Sequence, residues 1–258
     1  MATDVLVPKV SDQELIELLE TIESADSVEL KLTIPVSDRT RTGEALGVDP
    51  MDGQIRQVYF FDTPDLALNA RGLVVRARRV QGKGDDSVVK LRPVVPDELP
   101  DDVRSSRQFG VEVDAMPGGA YVCSGSMKRT MDSVVKDAVA GRKPLRKIFS
   151  KEQRALYAAN APEGLELDDL SILGPTMALK VKFAPKDYGR KFVAELWLYP
   201  DNSMLLELST KCAPAEAFDV ALETRAFLTK IGIDLSGEQE TKTKKALQYY
   251  SRRLQGTQ

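Results

Sequence analysis

The chain has 258 residues, of which 42% are hydrophobic and 29% are charged, and its formal net charge at pH 7 is −3. This composition suits a soluble globular protein with a sizeable core, and its slight acidic excess gives no general attraction to nucleic acids or anionic membranes. The absence of histidine excludes histidine-based triads and imidazole metal sites, and the lack of a ~20-residue apolar run or a signal-peptide pattern predicts a cytoplasmic protein.

The first predicted element is an amphipathic helix over Ser11–Ser24. Ser11 and Glu14 have the spacing of a capping box at a helix start. The apolar stripe of the helix predicts that it packs on the body of the protein as an N-terminal extension, and a partner-binding helix is the alternative. The stripe contains Leu15, Leu18, Leu19 and Ile22.

The next stretch alternates apolar and polar residues, which is typical of a strand with one buried face. This predicted strand is Val28–Ile34, and it places Glu29 and Lys31 on the same face. The segment Pro35–Gln54 is polar and rich in turn residues, and we predict a loop there.

A predicted strand–turn–strand unit covers Val58–Arg79. Asp62 or Thr63 can cap the short helical turn between its two strands. In the second strand Arg76 and Arg78 face one way, opposite an apolar back. A strand face that carries two arginines needs either water or an anion beside it.

A hairpin tip is predicted at Gly82–Asp86. This segment does not match a phosphate-binding P-loop, because the glycine–lysine–hydroxyl pattern is incomplete and a strand follows where a helix is required. The return strand, Val88–Arg92, places Lys90 and Arg92 on one face.

The central part of the chain is predicted to contain one further strand and then helices. The strand is Gln108–Asp114, in which Glu112 and Asp114 share a face. A helical region is predicted over residues 119–160, where a second helix begins at a capping box that starts at Ser150.

Strand patterns return near the C-terminus, at Met177–Phe183, Phe192–Tyr199 and Leu205–Lys211, and two helices follow at Pro214–Lys230 and Gly237–Leu254. The polar faces of these strands carry Lys180, Lys182, Glu195, Glu207, Ser209 and Lys211.

These eight strands predict an α+β protein built on an antiparallel sheet or a closed eight-stranded antiparallel barrel, with helices packed outside. We expect a single domain over residues 1–258, with a helical extension at 1–26 and the core at 27–254. For any one strand taken alone, a solvated face is the favoured explanation of the charges. If the sheet closes, however, the charges meet in one lumen, where an unneutralised set of like charges is unfavourable.

A polyanion among the cations and a divalent metal among the carboxylates would neutralise both sets. Phosphoryl transfer requires this arrangement, with cations on the phosphate oxygens and Mg²⁺ to position charge and water. An all-oxygen ligand set favours Mg²⁺, Mn²⁺ or Ca²⁺ over zinc.

An ordered set of motifs resembles the CYTH domain family, also called the triphosphate tunnel metalloenzymes. The motifs cover the chain from about Ser27 to Leu254, and they are VELKL, YFFDTPDLAL followed by RGLVVRARR, VVKLRP, GVEVD, LKVKF, AELWLYPD, LLELSTK and TKTKKAL. The resemblance implies an eight-stranded antiparallel barrel that holds a triphosphate-containing small molecule in a tunnel, with Mg²⁺ or Mn²⁺ as the cofactor.

The resemblance also implies roles for individual residues. Glu29, Lys31 and Glu195 would be catalytic. Phosphate oxygens would be bound by Lys31, Arg76, Arg78, Lys90, Arg92 and Lys180, with Lys182, Lys242 and Lys244 as weaker candidates. The metal ligands would be Glu29, Glu112, Asp114, Glu195 and Glu207.

Two positions depart from the family pattern. Ser27 stands where the first motif has a glutamate, and Ser209 stands where the late paired Glu-x-Glu has its second member. Serine adds no charge, so we expect weaker binding of a divalent cation. The resulting hypotheses are a metal-dependent triphosphatase, an adenylyl cyclase of the same family, and a non-catalytic module that binds polyphosphate or nucleotides.

The two cysteines and three further basic residues are interpreted as structural rather than functional. Cys123 and Cys212 lack the spacing of a metal site or a disulfide framework, so we expect buried free thiols. Lys83, Lys128 and Arg129 are basic, but a solvated surface is the better interpretation for each.

Overall fold

The computed structural model describes residues 12–235, 239 and 241–256, and these contain nine strands. The strands are β1 (Ser27–Ile34), β2 (Gln54–Asp62), β3 (Leu73–Val80), β4 (Asp85–Leu91), β5 (Phe109–Ala115), β6 (Tyr121–Met131), β7 (Ser171–Phe183), β8 (Phe192–Leu198) and β9 (Met204–Cys212). They close into a barrel in the order β1-β5-β6-β4-β3-β2-β7-β8-β9, and β9 pairs with β1. The predicted barrel is therefore confirmed.

The barrel departs from the prediction in two details. It has nine strands instead of eight, and β1 and β5 are parallel, whereas the other neighbouring pairs are antiparallel. The additional strand is β6, which lies in the region predicted to be helical. Gly125 of β6 packs directly against the ring of Phe109. A Cβ atom at position 125 would lie only 2.4 Å from that ring.

Eight α-helices accompany the described strands, and they lie at the connections or on the outside of the barrel. They are α1 (Asp12–Glu23), α2 (Arg39–Leu46), α3 (Ala67–Ala70), α4 (Asp101–Arg104), α5 (Val135–Val139), α6 (Lys151–Asn160), α7 (Ala217–Lys230) and α8 (Lys242–Leu254). None of these helices is long and apolar enough to cross a bilayer.

Several predicted boundaries are corrected. The loop predicted over Pro35–Gln54 contains α2, and Gln54 already belongs to β2. The last helix begins at Lys242, whereas its predicted start at Gly237 lies outside the described residues. The capping box of Ser150 and Gln153 at the start of α6 is confirmed.

The N-terminal helix α1 contacts the body of the protein, as predicted. Ile22 is buried and Leu18 packs against the core, but Leu19 of the predicted stripe is 38% exposed. The predicted capping box lies outside the described residues, since Ser11 and the side chain of Glu14 fall there.

Apolar residues on the outer face of the barrel pack under the helices. In β3, Leu73, Val75 and Ala77 are buried in the main core, which confirms that the opposite face carries Arg76 and Arg78. The same core buries Cys123 and Cys212, and both are free thiols. A second core, under α7, contains the ring stack of Tyr188, Phe192 and Phe227.

A third apolar cluster closes one end of the barrel interior. Phe60 of β2 and Trp197 of β8 pack there with Leu247 and Tyr250 of α8. The hydroxyl of Tyr250 donates to the carbonyl oxygen of Pro175 at 2.6 Å, which fixes α8 against β7. This end of the interior is therefore filled by side chains, and the charged residues occupy the rest.

Candidate functional site

Strand register explains how charged residues that are distant in the chain share one interior. Directly opposed residues of antiparallel strands point to the same face of the sheet. Arg78 lies opposite Asp86 on β4, and Glu195 lies opposite both Lys180 and Glu207 on its two neighbours. Charged residues therefore line the inward side of the barrel, together with Lys242 from α8, and this charged interior is called the tunnel below.

Among the described residues, cations outnumber carboxylates in this tunnel. The cations are Lys31, Arg56, Arg76, Arg78, Lys90, Arg92, Lys128, Lys180, Lys211 and Lys242, and the carboxylates are Glu29, Asp86, Glu112, Asp114, Glu195 and Glu207.

Arg76 has no anionic partner in the part of the chain that the structure describes. Burial and the neighbouring Arg78 lower the pKa of Arg76 to about 10, although Asp86 and Glu195 oppose this shift. The Nε atom of Arg76 is buried and lacks a hydrogen-bond partner among the described residues. Arg78 instead pairs with Asp86, with 2.8 Å between Nε and Oδ1. A buried guanidinium without a partner is costly, so this position favours a bound anion.

Three carboxylates come together where β1 and β5 run in parallel. The register places Glu29 beside Asp114 and Ser27 beside Glu112. One oxygen from each of Glu29, Glu112 and Asp114 lies within 4.8 Å of the other two. This all-oxygen donor set suits a hard divalent cation such as Mg²⁺ or Mn²⁺.

Basic residues surround the buried Asp114. Its Oδ1 lies 2.7 Å from Nζ of Lys31, and its Oδ2 lies 3.6 Å from Nζ of Lys90 and 3.8 Å from Nη2 of Arg92. Burial alone would raise the pKa of Asp114, but Lys31, Lys90 and Arg92 together lower it. Asp114 is therefore ionised at neutral pH.

The two lysines beside Asp114 respond differently. Burial opposes the charge of Lys31, yet Asp114 and Glu29 outweigh it and raise the pKa of Lys31. Burial lowers the pKa of Lys90 to about 8; Asp114 opposes this shift, whereas Lys31 and Arg92 add to it. A further anion beside Lys90 and Arg92 would compensate their mutual repulsion.

Glu195 and Glu207 lie in a separate group, next to α8. Nζ of Lys242 is 2.7 Å from Oε1 of Glu207 and also pairs with Glu195. Nζ of Lys180 lies 2.9 Å from Oε1 of Glu195, and Arg56 approaches the same oxygen at 3.9 Å. Burial opposes ionisation of Glu195, but Lys242 and Lys180 lower its pKa well below 4.5. Lysine charge therefore neutralises this pair of carboxylates.

The two serines that depart from the family pattern both line the tunnel strands. Ser209 is buried and hydrogen-bonds the carboxylate of Glu29, which helps to lower the pKa of Glu29 against the opposing effect of burial. Lys31 and Lys242 lower the same pKa. Ser27 is partly buried beside Glu112.

Other predicted candidates lie at the periphery of the tunnel. Lys182 is exposed near the end of β7, Lys244 is exposed on α8, and the exposed Lys211 pairs with Glu112. The structure therefore brings most of the predicted residues into one interior, but it separates the carboxylates into two groups.

Sequence reasoning missed three charged residues of the tunnel wall. Arg56 precedes the predicted start of its strand, and Asp86 was assigned to a hairpin tip. Lys128 was predicted to lie on a solvated surface, but it lies on the inward face of β6. Its side chain still reaches solvent. Partial desolvation nevertheless lowers its pKa, although Glu112 opposes the shift. The alternation of Gln54, Arg56 and Val58 would have revealed the first of these.

No family model and no curated protein matches the sequence, whereas solved structures resemble its fold. A proposed adenylate cyclase from Bacillus halodurans superposes with a TM-score of 0.58 at 13% identity, over 86% of this chain and 97% of that one. A proposed adenylyl cyclase from Hippeastrum with a dominant triphosphatase activity gives 0.55 at 16% identity, over 82% and 91%. The chain therefore shares the barrel fold of these two proteins, which agrees with the fold that the resemblance to the CYTH domain implies.

Proposed function

We propose that the tunnel binds the triphosphate group of a small molecule and hydrolyses it with a divalent cation. The observation that carries this proposal is Arg76, whose buried Nε lacks a partner in the described chain although Asp86 and Glu195 lie near enough to affect its charge. A linear triphosphate presents several charged oxygens, and it can compensate several cations at once.

The cations have distinct roles in this proposal. Arg76 and Arg78 on β3, and Lys90 and Arg92 at β4, bind the phosphate oxygens from adjoining parts of the wall. Lys180 contributes from β7, where Glu195 orients it. Lys182 and Lys242 are secondary candidates, since the first is exposed and the second already neutralises two carboxylates.

The metal set is proposed to be Glu29, Glu112 and Asp114, with Mg²⁺ or Mn²⁺ as the ion. Their oxygen atoms fit such an ion in type and number, and waters or phosphate oxygens complete hard-cation sites of this kind. A bound cation would supply positive charge beside the phosphate oxygens and act as a Lewis acid toward water. Glu195 and Glu207 instead hold Lys180 and Lys242 in position.

The chain's own groups would orient the reacting water. Glu29 and Glu195 both have lowered pKa values, so they are ionised at neutral pH and accept hydrogen bonds from water, but they are weak proton acceptors. Lys31 keeps its proton and offsets the negative charge that Glu29 and Asp114 place beside the phosphates. We propose catalysis by positioning and charge neutralisation, with little general-base contribution.

The test is phosphate release from tripolyphosphate, ATP and thiamine triphosphate, each assayed with Mg²⁺, with Mn²⁺ and with a chelator. Metal-dependent release from at least one compound is expected. Pyrophosphate and a cyclic nucleotide from ATP, without phosphate, would identify the adenylyl cyclase alternative. Absence of turnover of all three compounds with either metal would refute hydrolysis.

A binding-only module is the second candidate. It is favoured by Ser209, which supplies a hydroxyl where the family pattern has a carboxylate, and by Lys242, which neutralises Glu195 and Glu207. In that case tripolyphosphate would raise the melting temperature with little dependence on metal, and no product would form.

A further inference from the structure

Ser124, on β6, carries a buried hydroxyl that no described group satisfies. The residue is fully buried, and its Oγ has no hydrogen-bond partner among the residues that the structure describes. A buried hydroxyl normally finds a partner, because leaving it unpaired after it has lost its hydration is unfavourable. This position therefore indicates a ligand that either accepts a hydrogen bond from the hydroxyl or is coordinated by its oxygen.

The register directs this hydroxyl to the acidic cluster. Ser124 lies directly opposite Glu112 in the antiparallel pair of β5 and β6, so both side chains point to the same face at a Cβ separation of about 5 Å. Glu112 belongs to the set that contains Glu29 and Asp114. The outer face of β6 at this level carries Cys123, which is buried in the main core.

We propose that Ser124 supplies a fourth, neutral oxygen ligand to a divalent cation held by Glu29, Glu112 and Asp114. This inference rests on the proposed function, and it adds a residue that the sequence pattern did not indicate. Serine hydroxyls ligate Mg²⁺ beside carboxylates at nucleotide sites, so the donor type is appropriate. The hydroxyl also gives the cation one more oxygen ligand without adding negative charge to the three carboxylates.

The test compares Ser124→Ala with Ser126→Ala in the full chain. Ser126 lies two residues further along the same strand and face, but opposite Gly110 and Lys90 rather than a carboxylate. Mn²⁺ binding is measured by calorimetry without any phosphate compound. We expect about 10-fold weaker Mn²⁺ binding for Ser124→Ala, unchanged binding for Ser126→Ala, and no loss of stability in either variant.

A thiol substitution tests direct ligation independently. Ser124→Cys offers a soft ligand, so its preference for Cd²⁺ over Mn²⁺ should increase relative to that of Ser126→Cys. The inference is overturned if Ser124→Ala binds Mn²⁺ like the natural chain, or if Ser124→Cys gains no preference for Cd²⁺. It is also overturned if Ser124→Ala weakens only metal-free binding of tripolyphosphate, since the hydroxyl would then contact phosphate.

These outcomes separate the inference from the proposed function. If the natural chain releases phosphate with Mn²⁺ but Ser124→Ala retains full Mn²⁺ affinity, only the role of Ser124 is lost. If the natural chain binds Mn²⁺ but releases no phosphate from any triphosphate, hydrolysis is refuted, and the metal titration of Ser124→Ala still tests the ligand set.

Discussion

Replacing Arg76 by methionine separates binding from folding, because the two effects have opposite signs. Burial and Arg78 lower the pKa of Arg76 from 12.5 to about 10, which corresponds to a cost of about 3 kcal/mol for its charge at 1.36 kcal/mol per pH unit. Water in the tunnel screens part of this cost. Methionine keeps most of the side-chain length, so we expect Arg76→Met to raise the free energy of unfolding by about 1 kcal/mol.

The same substitution should weaken ligand binding. A hydrogen bond between charged groups contributes about 1.5–3 kcal/mol, so the dissociation constant of tripolyphosphate should rise by about 10-fold or more. Calorimetry without metal measures binding, and urea unfolding measures stability. Arg79→Met is the control, because Arg79 lies on the outward face of β3 and donates to Gln57 Oε1 at 2.6 Å. Unchanged binding in Arg76→Met, together with a clear loss of stability, would refute the reasoning.

Three further results are expected. Glu29→Gln should weaken Mn²⁺ binding by at least about 10-fold in calorimetry. A chelator should abolish phosphate release while tripolyphosphate still binds. Full activity in the presence of a chelator would contradict the metal assignment. Lys242→Met should lower the free energy of unfolding by about 3 kcal/mol near pH 7. Because Lys242 lowers the pKa of Glu195 well below 4.5, this loss should begin to shrink below about pH 4.5 and continue to shrink as the pH falls through the lowered pKa of Glu195. A pH-independent loss in urea unfolding would disprove the ionic cause. The double variant Ser27→Glu plus Ser209→Glu should tighten Mn²⁺ binding by roughly tenfold, and calorimetry that shows no change would mean that these serines do not limit metal affinity.

The charged wall could be predicted from the sequence because strand alternation is a local property. In VVRARR the period of two places Arg76 and Arg78 together without knowledge of the partner strands. The same reasoning placed Glu29 with Lys31 and Lys90 with Arg92. It located the candidate tunnel residues on one side of a sheet, and the structure shows that side to be the interior.

The strand β6 could not be recognised in this way. Its inward residues Ser124 and Ser126 are small and polar, and its outward Gly125 leaves room for the ring of Phe109. The apolar half of the alternation is therefore weak, although the strand is well paired on both edges. Packing against neighbours determined this element, whereas local propensity gave no signal.

The grouping of the carboxylates depends on contacts between distant strands. Glu29 meets Asp114 only because β1 and β5 are paired in parallel, and Glu207 meets Lys242 only because α8 closes one end of the barrel. Neither contact follows from a pattern within one segment. The sequence therefore supported the composition of the candidate site better than its internal arrangement.

The arrangement explains why anion binding should depend on the cations more than on the metal. Serine at positions 27 and 209 removes two carboxylates that the family pattern would place there, and Lys242 neutralises Glu195 and Glu207. The remaining acidic cluster is compensated in part by Lys31. The described tunnel residues therefore retain an excess of positive charge before any cation binds, so under the proposed function a polyanion would be attracted on electrostatic grounds alone, and a divalent cation would contribute mainly to the proposed reaction.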